Sequence, residues 1–515
     1  MIAAKARRGR SCAAARSGCA LAVLVAAAPG AANAAGALGP NGSAIRTSRY
    51  GVDLTQTPIL AGARVTGLAG AYVAIAEGID GDIQTPVAPA VRTLYSVDHF
   101  DFELGLGLTL PVAVTTTDFF NTGHQHTQLA NSDQRGFLFV TPAINLAWGD
   151  FGVGLTLELQ NYSLLRSGAT ATTRRDAFDA QFLVGHLQAA NRFFGGQLVL
   201  GGGIRVLELD VNNPNAPSGE SNLFTTVGLG VEAGALWAPT GEPFRLGAAF
   251  RSAVTTTPDP QSRILPNSEG DRIIGSASDP VNSFWLPDRI EQPWDLNVGM
   301  AVQIGPRPFN APWTDPEDRI DVARRAIERR SAERRYQRAL LSRRLAAEGA
   351  LDAAAEGALD AERDNEEAVD ELHVARIEHE LRTRMKLAYA RLPRPYALLS
   401  VSLVLTGALN DAVGIESFLQ RVVARSGEKV VYSPRLGLET EVIPGWVKLR
   451  AGTYSEPTRF ETSAPRLHGT VGFDAKVIPW SAFGLFDEDT EWRITTSLDA
   501  AARYLGWGVG VGVWH

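Results

Sequence analysis

Long stretches of alternating apolar and polar residues are the feature that most limits how this chain can fold. From Phe100 to Leu110 the apolar residues fall on one face, whereas Asp101 and Glu103 fall on the other. Side chains of a β-strand point to opposite faces in turn, so each such stretch predicts a strand with one polar face. We count 14 stretches, at residues 100–110, 135–148, 152–161, 178–190, 197–207, 223–237, 244–251, 294–304, 396–407, 435–442, 447–454, 467–477, 492–500 and 507–514.

Three properties of these strands favour a membrane barrel over a soluble sandwich. Most are about 10–15 residues long, and a tilted strand needs about 9–11 residues to cross a bilayer. No segment after the leader has 18 consecutive apolar residues, which excludes a helical membrane protein. Tryptophans stand near strand ends, as in an interfacial girdle, at Trp148, Trp237, Trp294, Trp446, Trp492, Trp507 and Trp514. We therefore predict a 14-stranded antiparallel outer-membrane β-barrel, residues 99–305 forming strands 1–8 and residues 395–515 forming strands 9–14.

In such a barrel the polar strand faces line the lumen. They carry the charged residues Glu103, Glu158, Arg205, Glu232, Arg245, Arg251, Glu439, Glu441, Lys448, Arg450, Asp474, Lys476, Arg493 and Asp499. Long connections follow odd-numbered strands and short ones mostly follow even-numbered strands, which is typical of external loops and periplasmic turns. This parity predicts that both chain termini lie in the periplasm.

The first 34 residues are predicted to be a secretory signal peptide. Five lysines and arginines precede the apolar run 20–28, and Ala32-Asn33-Ala34 forms a small-residue cleavage site. Both cysteines, Cys12 and Cys19, lie in this leader, and its removal takes the formal net charge from −7 to −12. An acidic exported chain is a poor nucleic-acid binder, so we expect no nucleic-acid partner.

Residues 35–98 separate the leader from the first strand and are predicted to form a hatch inside the barrel. Their most distinctive part, 61–90, is rich in alanine and glycine and ends with Pro86 and Pro89. Glycine and proline disfavour regular helix and strand. An irregular backbone needs polar surroundings, which a barrel lumen provides.

Residues 306–394 interrupt the strand pattern and are predicted to form a charged helical hairpin. The part 319–344 contains ten arginines, whereas 348–380 contains twelve acidic residues. The octapeptide AAEGALDA occurs at 346–353 and again at 354–361. This insert, which follows an even strand, suggests a periplasmic contact arm with a possible protein partner at 319–380, or a solvated insertion without a partner.

The start of the hatch resembles a known family. The pattern Arg64-x-x-Gly67-x-Ala69-Gly70-Ala71-x-Val73-Ala74, followed by Asp80 and Thr85-Pro86, is similar to the FadL-like outer-membrane transporters of long-chain fatty acids and hydrophobic compounds. The resemblance implies a 14-stranded barrel with an N-terminal hatch, and it implicates Arg64, Gly67, Gly70, Asp80, Thr85 and Pro86 in that hatch. Thr85 stands where the family has asparagine, so the family's hatch gating is not carried over.

Three functions are compatible with these patterns. The first is outer-membrane transport of hydrophobic compounds, with capture residues Phe119, Phe120, Phe284, Trp285 and Leu286 in external loops. The second is a non-transporting structural or secretion-partner barrel, similar to PorV, that uses the helical arm. The third is an outer-membrane lipid hydrolase. We expect no enzyme activity, cofactor or metal, because His124-Gln125-His126 is a weak metal motif and no histidine lies in a nucleophile motif.

Overall fold

The fold is a closed β-barrel filled by its own N-terminal segment. The computed structural model describes residues 38–92, 96, 98–111, 118–123, 138–165, 177–212, 222–261, 264–266, 269–274, 284–313, 315–461, 463–479 and 491–513. The barrel strands are β1 Phe100–Pro111, β2 Leu138–Trp148, β3 Phe151–Leu165, β4 Ala177–Phe193, β5 Leu198–Asn212, β6 Asn222–Trp237, β7 Phe244–Arg251, β8 Asp295–Ile304, β9 Ala397–Thr406, β10 Val431–Ile443, β11 Val447–Glu456, β12 Arg466–Pro479, β13 Glu491–Ala501 and β14 Tyr504–Val513.

Every barrel strand pairs antiparallel with its neighbours in sequence, and the last strand closes on the first. Leu106 of β1 lies opposite Val511 of β14. The prediction of a 14-stranded antiparallel barrel is confirmed.

The two faces of the wall differ as the alternation predicts. Large apolar side chains such as Leu187, Leu229 and Val231 are exposed on the outside. Charged side chains are buried inside, where Glu439 and Asp499 are each 1% exposed. This arrangement suits a wall with lipid on one side and a polar filling on the other. Trp148, Trp237 and Trp446 lie at one end of the barrel and Trp507 lies near the other.

We call the two ends of the barrel the turn end and the loop end. The turn end has short connections such as 149–150 and 444–446, and β14 runs towards it. The loop end carries the long connections after β7 and β9. The alternation of long and short connections is not uniform. The two-residue turn 502–503 lies at the loop end, and the longer connection 480–490 joins two strands at the turn end. The described chain starts at the loop end, where the Leu38 carbonyl accepts a hydrogen bond from Arg425. The prediction that both termini lie at the same end, the turn end, is therefore wrong for the first described residues.

The hatch segment runs from the loop end, through the lumen, to the turn end. It contains the strand Gly51–Asp53, the helices α1 Ala63–Gly67 and α2 Gly78–Asp82, and the 3-10 turn Ala88–Ala90. At the turn end Arg92 donates to the carbonyls of Asp98 and His99, just before β1.

Small sheets close the loop end. Gly51–Asp53 pairs in parallel with both Arg289–Gln292 and Ala412–Gly414. The other short elements are the strands Val254–Thr256, Asp259–Pro260, Ile264–Pro266, Arg272–Ile274, Phe284–Trp285 and Arg425–Ser426, and the helix Ile415–Gln420. The first described segment of the chain is thereby built into the connections at the loop end.

The insert between β8 and β9 is a helical hairpin at the turn end. Its helices are α3 Pro316–Ala347 and α4 Ala353–Ala390. Arg334 and Arg338 of α3 both pair with Glu366 of α4, at 3.2 and 2.6 Å, so the two arms are held partly by opposite charge as predicted. No helix in the described part of the chain is long and apolar enough to cross a membrane.

Candidate functional site

An apolar cluster fills the loop end of the lumen, and we call it the mouth cluster. Its members come from the barrel wall, the hatch segment and the loops. They include Val52, Leu54, Leu60, Phe119, Phe182, Val184, Leu207, Leu209, Val211, Phe224, Phe284, Leu286 and Phe418. Six of these, from Phe182 to Phe224, belong to β4, β5 and β6, which point apolar residues inwards here. The polar lumen expected from the strand pattern therefore becomes apolar near the mouth.

The predicted capture residues all lie in or against this cluster. Phe119, Phe284 and Leu286 are buried, and Phe120 and Trp285 pack against them. The rings of Phe119 and Phe120 meet edge to face at 4.9 Å. By packing on one another they close the loop end of the lumen.

Below the mouth cluster lies a cavity, the outer cavity. Leu60, Phe182 and Val184 form its apolar side. Polar residues of the wall line the rest, namely Glu158, Gln160, His186, Arg205, Arg251, Asp295, Asn297 and Arg435. The cavity therefore offers both apolar and polar surface beside the hatch segment.

Small residues let the hatch segment pack directly on the wall. A Cβ atom at Gly67 would lie 3.2 Å from the Cα atom of Gly472. Gly70 has φ +69°, and a Cβ atom there would lie 2.5 Å from the Arg435 guanidinium. Both glycines that the sequence placed in the hatch are thus needed for close approach, and Gly70 also for its backbone conformation.

A buried ion-pair network ties the hatch segment to the wall. Arg64 of α1 donates two hydrogen bonds of 3.1 Å to the Glu439 carboxylate of β10. Glu439 also accepts from Arg450 Nε at 2.6 Å and from the Tyr396 hydroxyl at 2.8 Å. Arg450 donates to both oxygens of Asp474, at 2.5 and 2.6 Å. Buried charges are tolerated only when paired in this way.

The same network reaches two further acids of the hatch segment. Arg493 of β13 donates to Asp80 at 2.7 Å. Arg245 of β7 donates to Glu77 at 3.1 Å and to the Ile75 carbonyl at 2.9 Å. Three separated strands, β7, β10 and β13, therefore hold one short segment.

Thr85 and Pro86 lie against β5 and β6. Thr85 is completely buried, and its hydroxyl has no hydrogen-bond partner among the described residues. It lies 2.8 Å from the position of a Cβ atom on Gly234, and Pro86 lies 3.0 Å from the same position. Neighbouring Asp82 accepts from Asn145 and Thr156, each at 3.0 Å.

The wall is thin where β1, β2 and β14 meet, a place we call the wall window. Gly105, Gly107 and Gly510 line a small cavity that reaches the hatch segment. On the lipid side lies an apolar depression that shares Gly105. The Ile79 side chain of the hatch segment fills the inner side, since its Cδ1 atom occupies the space of a Gly105 side chain.

At the turn end a cavity, the inner vestibule, opens beneath the hatch segment. Its cationic lining residues are Arg64, Arg92, Arg192, Arg245, Arg307, Lys448 and Arg493, and its acidic ones are Glu77, Glu103 and Glu439. Trp313, which precedes α3, and Tyr389 of α4 also line it. The base of the helical insert is therefore part of the vestibule wall.

Two vestibule arginines share one aromatic ring. The guanidinium carbons of Arg92 and Arg192 lie 4.5 and 5.1 Å from the Trp313 ring centroid. Burial lowers the pKa of Arg92, and the nearby positive charge of Arg192 adds to this, whereas Asp101 opposes it. The surroundings of Arg92 and Arg192 therefore disfavour additional positive charge in this part of the vestibule.

Two buried histidines are each held between two carboxylates. His468 lies 2.6 Å from Glu456 and 2.7 Å from Asp499. His186 lies 2.9 Å from Glu158 and 3.2 Å from Glu232. His124 and His126 lie outside the described residues. Among those described, no group of three His, Cys, Asp or Glu side chains is arranged to hold a metal ion.

Sequence reasoning placed the lumenal charges on the correct face but missed their partners. Glu77, which joins Arg64 to Arg245, was not singled out, and neither were the wall glycines that contact the hatch segment. Glycines on the inward face of a strand, such as Gly201, Gly234 and Gly247, are the signal that would have located the contact.

Comparisons with known proteins reveal only distant likeness. No protein-family profile matches the chain, and no curated protein is similar to it in sequence. Among solved structures, the CymD monoaromatic hydrocarbon channel has 10% identity and a TM-score of 0.46, covering 89% of this chain and 97% of that one. A Pseudomonas aeruginosa FadL homologue has 10% identity and a TM-score of 0.45, covering 89% and 99%. The TodX monoaromatic hydrocarbon channel has 11% identity and a TM-score of 0.37, covering 85% and 95%. At these scores the barrel is established by its own strand pairing and not by the likeness.

Proposed function

We propose that this chain transports hydrophobic compounds, such as long-chain fatty acids, across the outer membrane. The observation that carries this proposal is the mouth cluster, where β4, β5 and β6 turn apolar side chains into the lumen. A barrel that only conducts water and ions has a polar lumen. Apolar lumenal surface favours an apolar solute by about 25 cal/mol per Å² removed from water. Export by the predicted leader, residues 1–34, would deliver the chain to this membrane.

The cavities suggest the order in which a solute would move. It would displace the packing of Phe119, Phe284 and Leu286, and then enter the outer cavity below. Movement of the hatch segment would next free one of two routes. One leads sideways through the wall window that Ile79 fills, and the other leads down to the inner vestibule.

We infer a channel rather than a hydrolase. In both described lumenal histidines the two ring nitrogens are occupied by carboxylates. A general base for a serine or water nucleophile needs one ring nitrogen available to that nucleophile. These histidines instead cross-link neighbouring strands.

Locking the hatch segment to the wall should abolish uptake. In a Thr85→Cys/Gly234→Cys variant the two residues are close enough for a disulfide, since the Thr85 hydroxyl lies 2.8 Å from a Cβ atom on Gly234. The only native cysteines, Cys12 and Cys19, are in the predicted leader. We expect cells carrying the oxidised variant to take up no labelled dodecanoate or alkane, and reduction to restore uptake.

The single variants Thr85→Cys and Gly234→Cys are the matched controls and should transport in either redox state. Uptake that is unchanged by the formed disulfide would show that solute passes without hatch movement. A wild-type barrel that neither binds nor takes up these compounds would contradict transport itself.

A second candidate function, a scaffold for a periplasmic protein, is favoured by one observation on the hairpin. Val322 and Tyr336 of α3 and Leu372 of α4 are large apolar side chains exposed by 60–67%, away from any bilayer-spanning strand. A contiguous exposed apolar patch often marks a contact site, and a scaffold would use these side chains as parts of such a patch. A photo-crosslinker at Tyr336 should then capture one periplasmic protein repeatedly. The same crosslinker placed at the neighbouring Arg335 is the positional control. If no defined protein were captured at either position, the scaffold function would be contradicted.

A further inference from the structure

We propose that the inner vestibule binds the acidic head group of an amphiphilic anion as it leaves the hatch segment. This inference rests on the proposed transport function and specifies its substrate class. The site lies at the turn end and combines charge, unpartnered donors and aromatic surface.

The first argument is the charge of the lining. Seven cationic and three acidic residues line the vestibule. The layer behind them adds Arg450, Asp80 and Asp474, which reduces the positive excess only from four to three. The acids nearest to Arg92 and Arg192, Asp101 and Asp150, are 3.8 Å away and are 41% and 58% exposed. A cavity whose lining carries a net positive charge concentrates anions.

The second argument is that two buried guanidinium nitrogens lack a hydrogen-bond partner in the described part of the chain. The Arg192 side chain is 9% exposed, and its Nη1 atom has no hydrogen-bond partner among the described residues. Arg493 is 7% exposed, and its Nε atom is likewise unpartnered. Buried N–H groups are nearly always paired, so each marks a place where an acceptor belongs. A guanidinium is well suited to a carboxylate or phosphate group.

The third argument is the apolar part of the same cavity. Val199, Leu236, Phe309, Trp313 and Tyr396 line it beside the arginines. An inorganic ion would leave this surface in water, and a neutral hydrocarbon would leave the arginine donors unpaired. An amphiphile with an acidic head uses both, and the head group can come from the transported solute or from a membrane phospholipid.

The helical insert contributes to this site. Trp313 donates to the Ser96 carbonyl at 3.1 Å, which fixes its ring beneath Arg92 and Arg192. Asp315 at the start of α3 contacts His99 at 2.8 Å, and Arg382 of α4 pairs with Asp98 at 3.4 Å. The insert is thus anchored at the rim of the vestibule that it helps to line.

The test compares dodecanoate with dodecanol on the full-length barrel in phosphatidylcholine nanodiscs by calorimetry. We expect Arg192→Gln to weaken dodecanoate binding by about tenfold, since a hydrogen bond to a charged group is lost. Dodecanol binding should not change. Arg192→Lys should retain part of the affinity. Arg335→Gln, which removes the same charge from the exposed surface of α3, is the matched control and should behave as wild type.

The outcomes separate this inference from the transport function. If dodecanoate and dodecanol bound equally well and Arg192→Gln changed neither affinity, the anion site would be overturned while the transport function would stand. Failure of the wild type to bind either compound would overturn both. Dodecanoate binding that is weaker in phosphatidylglycerol than in phosphatidylcholine nanodiscs would support the site and assign it to lipid head groups. Equal binding in the two lipids would support a site for the transported solute. A melting curve of each variant shows whether an altered affinity reflects misfolding.

Discussion

Replacing Glu439 by glutamine should lower the free energy of unfolding of the plugged barrel by about 3–5 kcal/mol. Glu439 is 1% exposed and accepts hydrogen bonds from Arg64, Arg450 and Tyr396. Its neutral replacement removes the acid that Arg64 and Arg450 share, so that Arg64 keeps only Glu77, at 3.3 Å, and Arg450 keeps only Asp474. Because Arg64 belongs to the hatch segment, the same change should also loosen the plug.

Denaturant titration of the purified barrel in lipid vesicles, followed by tryptophan fluorescence, measures this loss. Glu380→Gln is the matched control, since Glu380 pairs with Arg384 on the exposed surface of α4. Exposed ion pairs contribute about 0–1 kcal/mol, so the control should resemble the wild type. Equal midpoints for Glu439→Gln and Glu380→Gln would show that the buried network does not hold the hatch segment.

The barrel was predictable from the sequence because its signal is local. An alternating strand such as Asp295–Ile304 reveals both of its faces without knowledge of its partners. The contacts that position the hatch segment are different in kind. Arg64 and Glu439 are 375 residues apart, and no local pattern pairs them. Sequence reasoning therefore identified the lumenal charges but not the network that they form.

The repeated octapeptide of the insert shows the same limit at short range. In its first copy Gly349 has φ +69° and the chain turns, and Asp352 caps α4 by accepting from the Ala355 amide at 2.8 Å. In its second copy Gly357 and Asp360 lie inside α4. Identical residues thus form a turn and a helix. The basic and acidic arms, which pair through contacts such as Arg338 to Glu366, lie on the two sides of the first copy.

Substituting valine for Gly201 should displace the hatch segment from the inner face of β5. A Cβ atom at Gly201 would lie 2.2 Å from the Pro86 carbonyl oxygen and 3.0 Å from the Val87 Cα atom. These are backbone atoms, so no side-chain rotation relieves the overlap. Overpacking of this kind costs about 1–3 kcal/mol. If only the state with the hatch segment in the lumen carries this cost, the fraction of barrels without it in place rises by about 5- to 150-fold.

Ion conductance across planar bilayers detects the unplugged state, and sensitivity of cells to a large antibiotic detects it in vivo. The adjacent Gly202 is a close control, because a Cβ atom there would meet its nearest neighbour, the Glu232 carbonyl oxygen, at an ordinary 3.5 Å. Side chains of successive strand residues point to opposite faces, so Gly202→Val adds the same atoms away from the hatch segment. Conductance should therefore rise for Gly201→Val and stay low for Gly202→Val. If both variants remained closed, the hatch segment would have to yield at Pro86 without leaving the lumen, and its packing on β5 would not be what keeps the barrel shut.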